Sequence, residues 1–148
     1  MIDIIRYREY LIELQRAVNE QSEKKIDEIV MATKEGHLTK KLKDKAGLIL
    51  CANYPDSSYK GNSDSYIEKN QVLFFLLEKV ASGSEDNDAE IQHYAEIQRV
   101  MHLLKAELQQ NSSCAKIDAD EDMITEWEYD IFGGYNGLSL GVKLKDYD

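Results

Sequence analysis

The spacing of apolar residues predicts two amphipathic helices, because residues three and four positions apart lie on one face of a helix. The first helix begins after Asp3, which can cap it. Its apolar residues are Ile4, Tyr7, Leu11, Leu14 and Val18. The stripe then shifts and resumes at Ile26, so we expect helix to about Thr33, either as one helix or as two that meet near Ser22. A second helix is predicted over residues 88–110, where the same spacing recurs.

Two apolar runs and a hairpin pattern predict four β-strands. The run from Leu48 stops at Pro55, and a short apolar run closed by proline is typical of a buried strand. Residues 71–80 are apolar on every side, which fits a central strand or a buried helix, and the paired phenylalanines favour the strand. Apolar and polar residues alternate on both sides of a glycine-rich turn at 133–137, as in a β-hairpin. On its first arm the residues expected to face the core are Trp127, Tyr129 and Ile131.

The element order α-β-β-α-β-β predicts an α+β fold, with an antiparallel four-stranded sheet and helices packed on one face of it. Residues 55–65 are rich in Ser, Asp, Asn and Gly and are expected to form an exposed loop. The chain has 148 residues, of which 43% are apolar and 31% charged. This length and composition are typical of a single globular domain, which would span residues 1–148.

The net charge of −10 comes from 18 basic and 28 acidic residues. It argues against direct nucleic-acid binding, which needs a dense basic surface, and against an anionic membrane as partner. No window approaches roughly 18 uncharged apolar residues, and the N-terminal segment has neither the apolar stretch nor the cleavage site of a signal peptide. Two cysteines do not indicate a disulfide framework, so a cytoplasmic protein is expected.

Charge is also segregated along the chain. Residues 34–45 contain five lysines and two acidic residues, whereas residues 111–148 contain nine acidic residues and three lysines. Opposite patches on one subunit would allow copies to join head to tail, and such contacts close into a ring when the rotation permits. A solvated charged surface explains the same pattern without a partner.

Side chains that could bind a metal have simpler interpretations. The acidic segment 118–122 begins like a calcium-binding loop, yet Met123 stands where the loop needs glycine and Tyr129 where it needs a bidentate glutamate. His93 and His102 are predicted on opposite sides of the second helix and cannot share a metal ion. We therefore predict no metal site and no cofactor.

Candidates for catalysis are equally weak. Cys51 lies in an apolar run and is expected in the core, while Cys114 lies in a polar segment. Glu126, Glu128 and Asp130 are predicted on one strand face, as paired catalytic carboxylates are, but that face is expected to look toward water rather than into a cleft. A hydrolase that uses these carboxylates is one hypothesis; the prediction is no catalytic residue and no enzyme.

The nine tyrosines favour protein contact instead. Segments rich in Tyr, Ser, Asn and Gly resemble contact surfaces, because tyrosine supplies contact area at small entropic cost. Ordinary exposure of an amphipathic residue accounts for the same pattern. The predicted contact regions are the 55–65 loop and the 133–137 tip. The predicted partner-binding residues are Tyr54, Tyr59, Tyr66, Tyr135 and Asn136.

Four segments carry a family resemblance. They are Leu48–Pro55, the Asn-Ser-Asp loop at 62–64, Gln71–Val80 and the Asn136-Gly137 hairpin. In this order, over residues 45–145, they resemble small prophage-encoded proteins found among virion structural genes, near tail and neck components. The resemblance implies a non-enzymatic structural or assembly role, through contacts with other protein subunits and with the chain incorporated into a phage particle. It transfers no functional residue. The alternative is a cytoplasmic adaptor or regulatory module that binds a basic protein through the acidic C-terminal third.

Overall fold

The structure, a computed structural model, describes residues 1–62, 65–81, 83–110, 117–119 and 123–146. These residues form three helices and seven strands, which confirms the predicted α+β class. The elements are α1 (Ile4–Gln21), β1 (Ile26–Ala32), α2 (Glu35–Leu42), β2 (Leu48–Asn53), β3 (Asp56–Asn62), β4 (Ser65–Lys79), α3 (Asn87–Gln110), β5 (Ile117–Ala119), β6 (Ile124–Ile131) and β7 (Tyr135–Asp146). No helix in these ranges combines the length and apolar character that crossing a membrane requires.

The seven described strands form one sheet with the order β1-β2-β4-β7-β5. β3 pairs with the first half of β4, and β6 pairs with β7 along the same side as β5. β1 and β2 run parallel, whereas the other pairs are antiparallel. The long strands β4 and β7 form the centre, in register from Lys69↔Lys145 to Lys79↔Tyr135. β1 and β6 therefore lie at opposite edges of the described sheet.

The prediction of an exposed loop at 55–65 is wrong, because most of this segment forms strand β3. This additional strand is one reason why the sheet has more than the four predicted strands. β3 forms a hairpin with β4, in register from Asp56↔Gln71 to Asn62↔Ser65. The hydrogen bonds of such a hairpin join backbone groups, so polar side chains do not prevent it. Ser63 and Asp64, within the predicted loop, lie outside the described residues.

The first helix is shorter than predicted. Asp3 caps its start as expected, since the Asp3 Oδ1 atom accepts hydrogen bonds from the Ile5 and Arg6 amides at 2.9 and 3.0 Å. The helix ends at Gln21, and the residues expected to continue it form β1 instead. Ile and Val at helical spacing also suit a strand, because their β-branched side chains pack well on a pleated surface. The sequence pattern alone did not separate the two.

Helices cover both faces of the sheet, which corrects the prediction that they pack on one face. The first core lies between one face and helices α1 and α3, while the second lies between the opposite face and α2. Helix α2 buries Leu38 and Leu42, one turn apart, in a segment otherwise rich in lysine. Two apolar residues are enough to attach an amphipathic helix of eight residues. α3 and the strand over 71–80 agree with the predictions.

Candidate protein-contact site

The outermost strand β6 exposes large apolar side chains. In the described residues it pairs only with β7, so its other edge carries no strand. Trp127 is 60% exposed, Tyr129 68% and Ile124 66%. The prediction that Trp127 and Tyr129 face the core is therefore wrong. Helix α3 packs over β4, β5 and β7, and β6 extends beyond that cover, so strand alternation alone did not indicate burial.

One face of β6 is aromatic. Trp127 lies opposite Leu138 of the first core, and its ring meets Tyr94 of α3 edge-on, with the ring centroids 5.6 Å apart. The Tyr94 hydroxyl donates a hydrogen bond to the Glu128 carbonyl oxygen at 2.7 Å. Burial, with the nearby charge of Glu90, raises the pKa of Tyr94 and keeps this donor protonated. Tyr94 therefore holds β6 in place while leaving Trp127 accessible.

The other face of β6 is acidic. Glu126 and Ser139 are paired in register, and the Ser139 hydroxyl donates to Glu128 Oε1 at 2.9 Å. Glu126 is exposed and Glu128 half-buried. Beyond Glu128 the register shifts, and Asp130 has a φ of 49°. The regular part of this edge is therefore residues 124–128, where Trp127 lies on one face and Ile124, Glu126 and Glu128 lie on the other.

A groove of about 830 Å³ runs along the sheet between α2 and β6. Its floor includes Leu73 and Phe75, and Ile124 borders it. Gly141 stands between Leu73 and Ile124 in the register. A Cβ atom added there would meet nothing closer than the Ile124 carbonyl oxygen at 4.0 Å. The missing side chain deepens the groove, which makes Ile124 accessible from two directions.

The predicted contact tip at 133–137 is not exposed as expected. Tyr135 is 1% exposed and Asn136 is 6% exposed. The Tyr135 hydroxyl donates to the carbonyl oxygens of Leu42 and Lys45, at 2.5 and 3.0 Å, and the Asn136 side chain accepts a hydrogen bond from the Asp130 amide. The turn itself ends before Tyr135, where β7 begins and its side chain enters the second core.

The other three predicted partner-binding residues are Tyr54, Tyr59 and Tyr66, and they lie on other elements than Tyr135 and Asn136. Tyr54 is half-buried, with the Lys41 ammonium 5.8 Å from its ring centroid. Tyr59 and Tyr66 pair with Glu68 and Gly61 through the β3–β4 backbone, and their side chains lie outside the described part of the structure. Of the five predicted partner-binding residues, the three with described side chains are buried or half-buried: Tyr135, Asn136 and Tyr54.

A buried polar cluster joins elements that are distant in sequence. His93 on α3 is 8% exposed, and its Nε2 lies 2.7 Å from Glu78 Oε1. Its Nδ1 lies 3.6 Å from Glu85 Oε1. Lys24 Nζ lies 3.1 Å from the same Glu78 oxygen and 3.4 Å from Glu96 Oε2. Nothing in the sequence spacing predicted this cluster.

The cluster connects the α1–β1 turn to β4 and α3. Burial acts to lower the pKa of Lys24, but the bonds and charges of Glu78 and Glu96 outweigh it and raise that pKa. Lys24 therefore remains a cation between two carboxylates, an arrangement suited to holding the three elements together. Among the described residues no group of three or more His, Cys, Asp or Glu could hold a metal ion. Of the predicted acidic segment 118–122, residues 118 and 119 belong to β5, whereas residues 120–122 lie outside the described residues, as does Cys114.

The sequence matches no family model and no curated protein.

Proposed function

We propose that this chain is a non-enzymatic structural or assembly protein that binds another protein subunit through β6. The observation that carries the proposal is the exposure of Trp127 and Tyr129, with Ile124 on the opposite face, on a strand whose outer edge pairs with no other described strand. Exposed apolar clusters of this kind favour protein contact, and tryptophan and tyrosine are enriched among the residues that dominate binding energy. An open edge also offers backbone hydrogen bonds to an incoming strand.

Photo-crosslinking in the cell of origin tests this contact. A photoreactive benzoylphenylalanine replaces Tyr129, and the control carries it at His102, an exposed position on α3. We expect protein adducts from position 129 and none above background from position 102. Adding Trp127→Ala should reduce the adducts about tenfold, since a buried aromatic anchor contributes more than 1.4 kcal/mol. Trp127→Phe should retain most of them. Equal labelling at positions 129 and 102 would reject the contact site.

We further propose that the partner subunits belong to a phage tail or neck assembly, on the strength of the family resemblance. Mass spectrometry of purified particles after prophage induction tests this. Several copies of the chain per particle would support the virion role. Abundant protein in the cell with none in particles would contradict it.

The alternative, an adaptor for a basic protein, is favoured by the exposed carboxylates of Glu126 and Asp130 beside the aromatic residues. Binding of this kind weakens steeply with salt, because exposed charges are screened. An association that is retained unchanged from low salt to about 1 M salt, where the Debye length is about 3 Å, would count against the adaptor.

A further inference from the structure

The edge opposite to β6 forms a cleft. Helix α1 covers one face of the sheet beside β1, and α2 covers the opposite face. A cavity of about 670 Å³ lies along β1 and is lined by residues of both helices. The segment of β1 that lines the cavity is residues 28–31. A strand laid into this cleft would touch the edge of β1, with one of its faces toward α1 and the other toward α2.

Among the described strands β1 pairs only with β2, and side chains of α1 and α2 bind backbone carbonyl oxygens at both ends of it. The Ile26 carbonyl oxygen accepts hydrogen bonds from Gln15 and Asn19, so α1 occupies that end. The Ala32 carbonyl oxygen accepts from the Tyr54 amide on the β2 side. Since successive residues of a strand direct their backbone groups to opposite sides, Met31 faces the open side. There the Lys41 ammonium donates to the Met31 carbonyl oxygen at 2.6 Å.

The two walls of the cleft have different chemistry. The α1 wall carries exposed isoleucines, with Ile5 63% and Ile12 43% exposed, and Arg8 lies between them. The α2 wall carries Lys41, which is exposed, and Lys45, whose ammonium lies 2.7 Å from Glu28 Oε1. Exposed isoleucines on a helix and lysines across from them would suit a strand that is apolar on one face and acidic on the other.

β6 presents Trp127 on one face and Glu126, with Ile124, on the other, and their orientation matches the two walls. Trp127 lies on the face of the sheet that α1 and α3 cover, and Glu126 lies on the face that α2 covers. A second copy can be translated within the plane of the sheet, without rotation, until its β6 lies beside β1 of the first copy. Its Trp127 then meets the isoleucines of α1. Its Glu126 then meets Lys41 of α2 and Lys45, which follows that helix. Both walls are satisfied by a single placement.

The strand directions agree as well. β1 runs parallel to β2, and each of the pairs β2–β4, β4–β7 and β7–β6 is antiparallel. β6 therefore runs opposite to β1. A sideways copy would add β6 to β1 as an antiparallel pair, whose hydrogen bonds are the more stable arrangement.

We infer that the partner bound by β6 is a second copy of this chain, which receives it in the cleft along β1. This inference rests on the proposed function and names its partner. The contact is head to tail, since it joins two different surfaces. Copies would therefore form a ring if the rotation between them closes and a filament if it does not. The sheets of successive copies would be continuous.

Two variants, each defective at one edge, test the inference. The strand variant is Glu126→Lys with Trp127→Ala, and the cleft variant is Ile5→Glu with Ile12→Glu. All four side chains are exposed, so both variants should fold. Sedimentation velocity is measured over a concentration series at low and high salt. Wild type should form species larger than a dimer, and each variant alone should remain monomeric. The control His102→Glu should behave as wild type.

A mixture of the two variants tests whether the contact joins β6 of one copy to the cleft of another. The strand variant retains a cleft and the cleft variant retains a strand, so an equimolar mixture should form a one-to-one dimer that grows no further. A strand variant that dimerises alone would overturn the inference by showing contact between clefts. A cleft variant that dimerises alone would do so by showing contact between β6 strands.

The proposed function and this inference fail differently. If position 129 crosslinks to a different protein while wild type remains monomeric, the inference is wrong and the contact site stands. If position 129 gives no adducts, both are wrong. Adducts at twice the subunit mass, joined to α1 of a second copy, would support both.

Discussion

At the level of single residues, Cys51 shows how the second core controls a reactive group. It lies in β2 with its side chain fully buried. Burial raises the pKa of its thiol from 9.0 to about 12. The folded protein therefore keeps the thiol neutral and shielded, as the sequence predicted for a core cysteine.

The Cys51 pKa has a consequence for stability at alkaline pH. Because the unfolded chain releases this proton near pH 9 and the folded chain near pH 12, the free energy of unfolding should fall as pH rises through that window. The slope from one thiol is up to about 1.4 kcal/mol per pH unit. Urea unfolding from pH 8 to 10.5 should show a steeper decline for Cys114→Ser than for Cys51→Ala with Cys114→Ser. Parallel curves would contradict the assignment to Cys51.

At the level of elements, helix α2 depends on a single tyrosine. The Tyr135 hydroxyl binds the carbonyl oxygens of Leu42, the last residue of α2, and Lys45 beyond it. Carbonyl groups at a helix end have no partner within the helix. The Lys45 amide donates to the Leu42 carbonyl oxygen at 3.1 Å, and Tyr135 adds a second donor from β7 at this end of the helix.

Removing that hydroxyl should loosen α2. We expect Tyr135→Phe to lower the free energy of unfolding by about 1 kcal/mol, because it removes the hydrogen bonding of a buried hydroxyl to the Leu42 and Lys45 carbonyl oxygens. Hydrogen exchange should increase in residues 35–42 ahead of the rest of the chain. Tyr129→Phe, whose hydroxyl is on an exposed side chain, should change neither measurement. Equal effects of the two substitutions would contradict the role of Tyr135.

The elements with a strong and continuous pattern were predicted from the sequence, and the others were not. α3 has apolar residues at helical spacing over its whole length, and β7 alternates regularly. β1 was predicted as helix because its apolar residues fit either period. Trp127 was predicted in the core because alternation shows which residues share a face, not whether another layer covers that face. The exposed surface of β6, which we propose as the contact site, was missed for this reason.

At the level of the whole molecule, the central pair β4–β7 sets the stability of the sheet. Gly137 of β7 lies against β4 so closely that an added Cβ atom would collide with the Leu76 carbonyl oxygen. Gly141 in the same strand has open space around it. Gly137 therefore allows β4 and β7 to approach closely, whereas Gly141 leaves room for the groove.

This difference is measurable. Gly137→Ala should lower the free energy of unfolding by about 2 kcal/mol, since the backbone of β4 must move. Gly141→Ala should leave it unchanged or raise it by about 0.5 kcal/mol, because the unfolded chain loses freedom while the folded strand accommodates the methyl group. Urea midpoints of the two variants provide the comparison. A larger loss at Gly141 than at Gly137 would contradict the proposed arrangement.

The unlike edges of the sheet also have a genetic consequence. If copies join head to tail as we propose, a subunit whose β6 is damaged but whose cleft is intact would still join the end of a growing assembly, and nothing could then be added beyond it. We expect such an allele to be dominant over wild type when both are expressed, and to act at low dosage. An allele that damages both edges would produce an inert subunit, and its phenotype would be recessive.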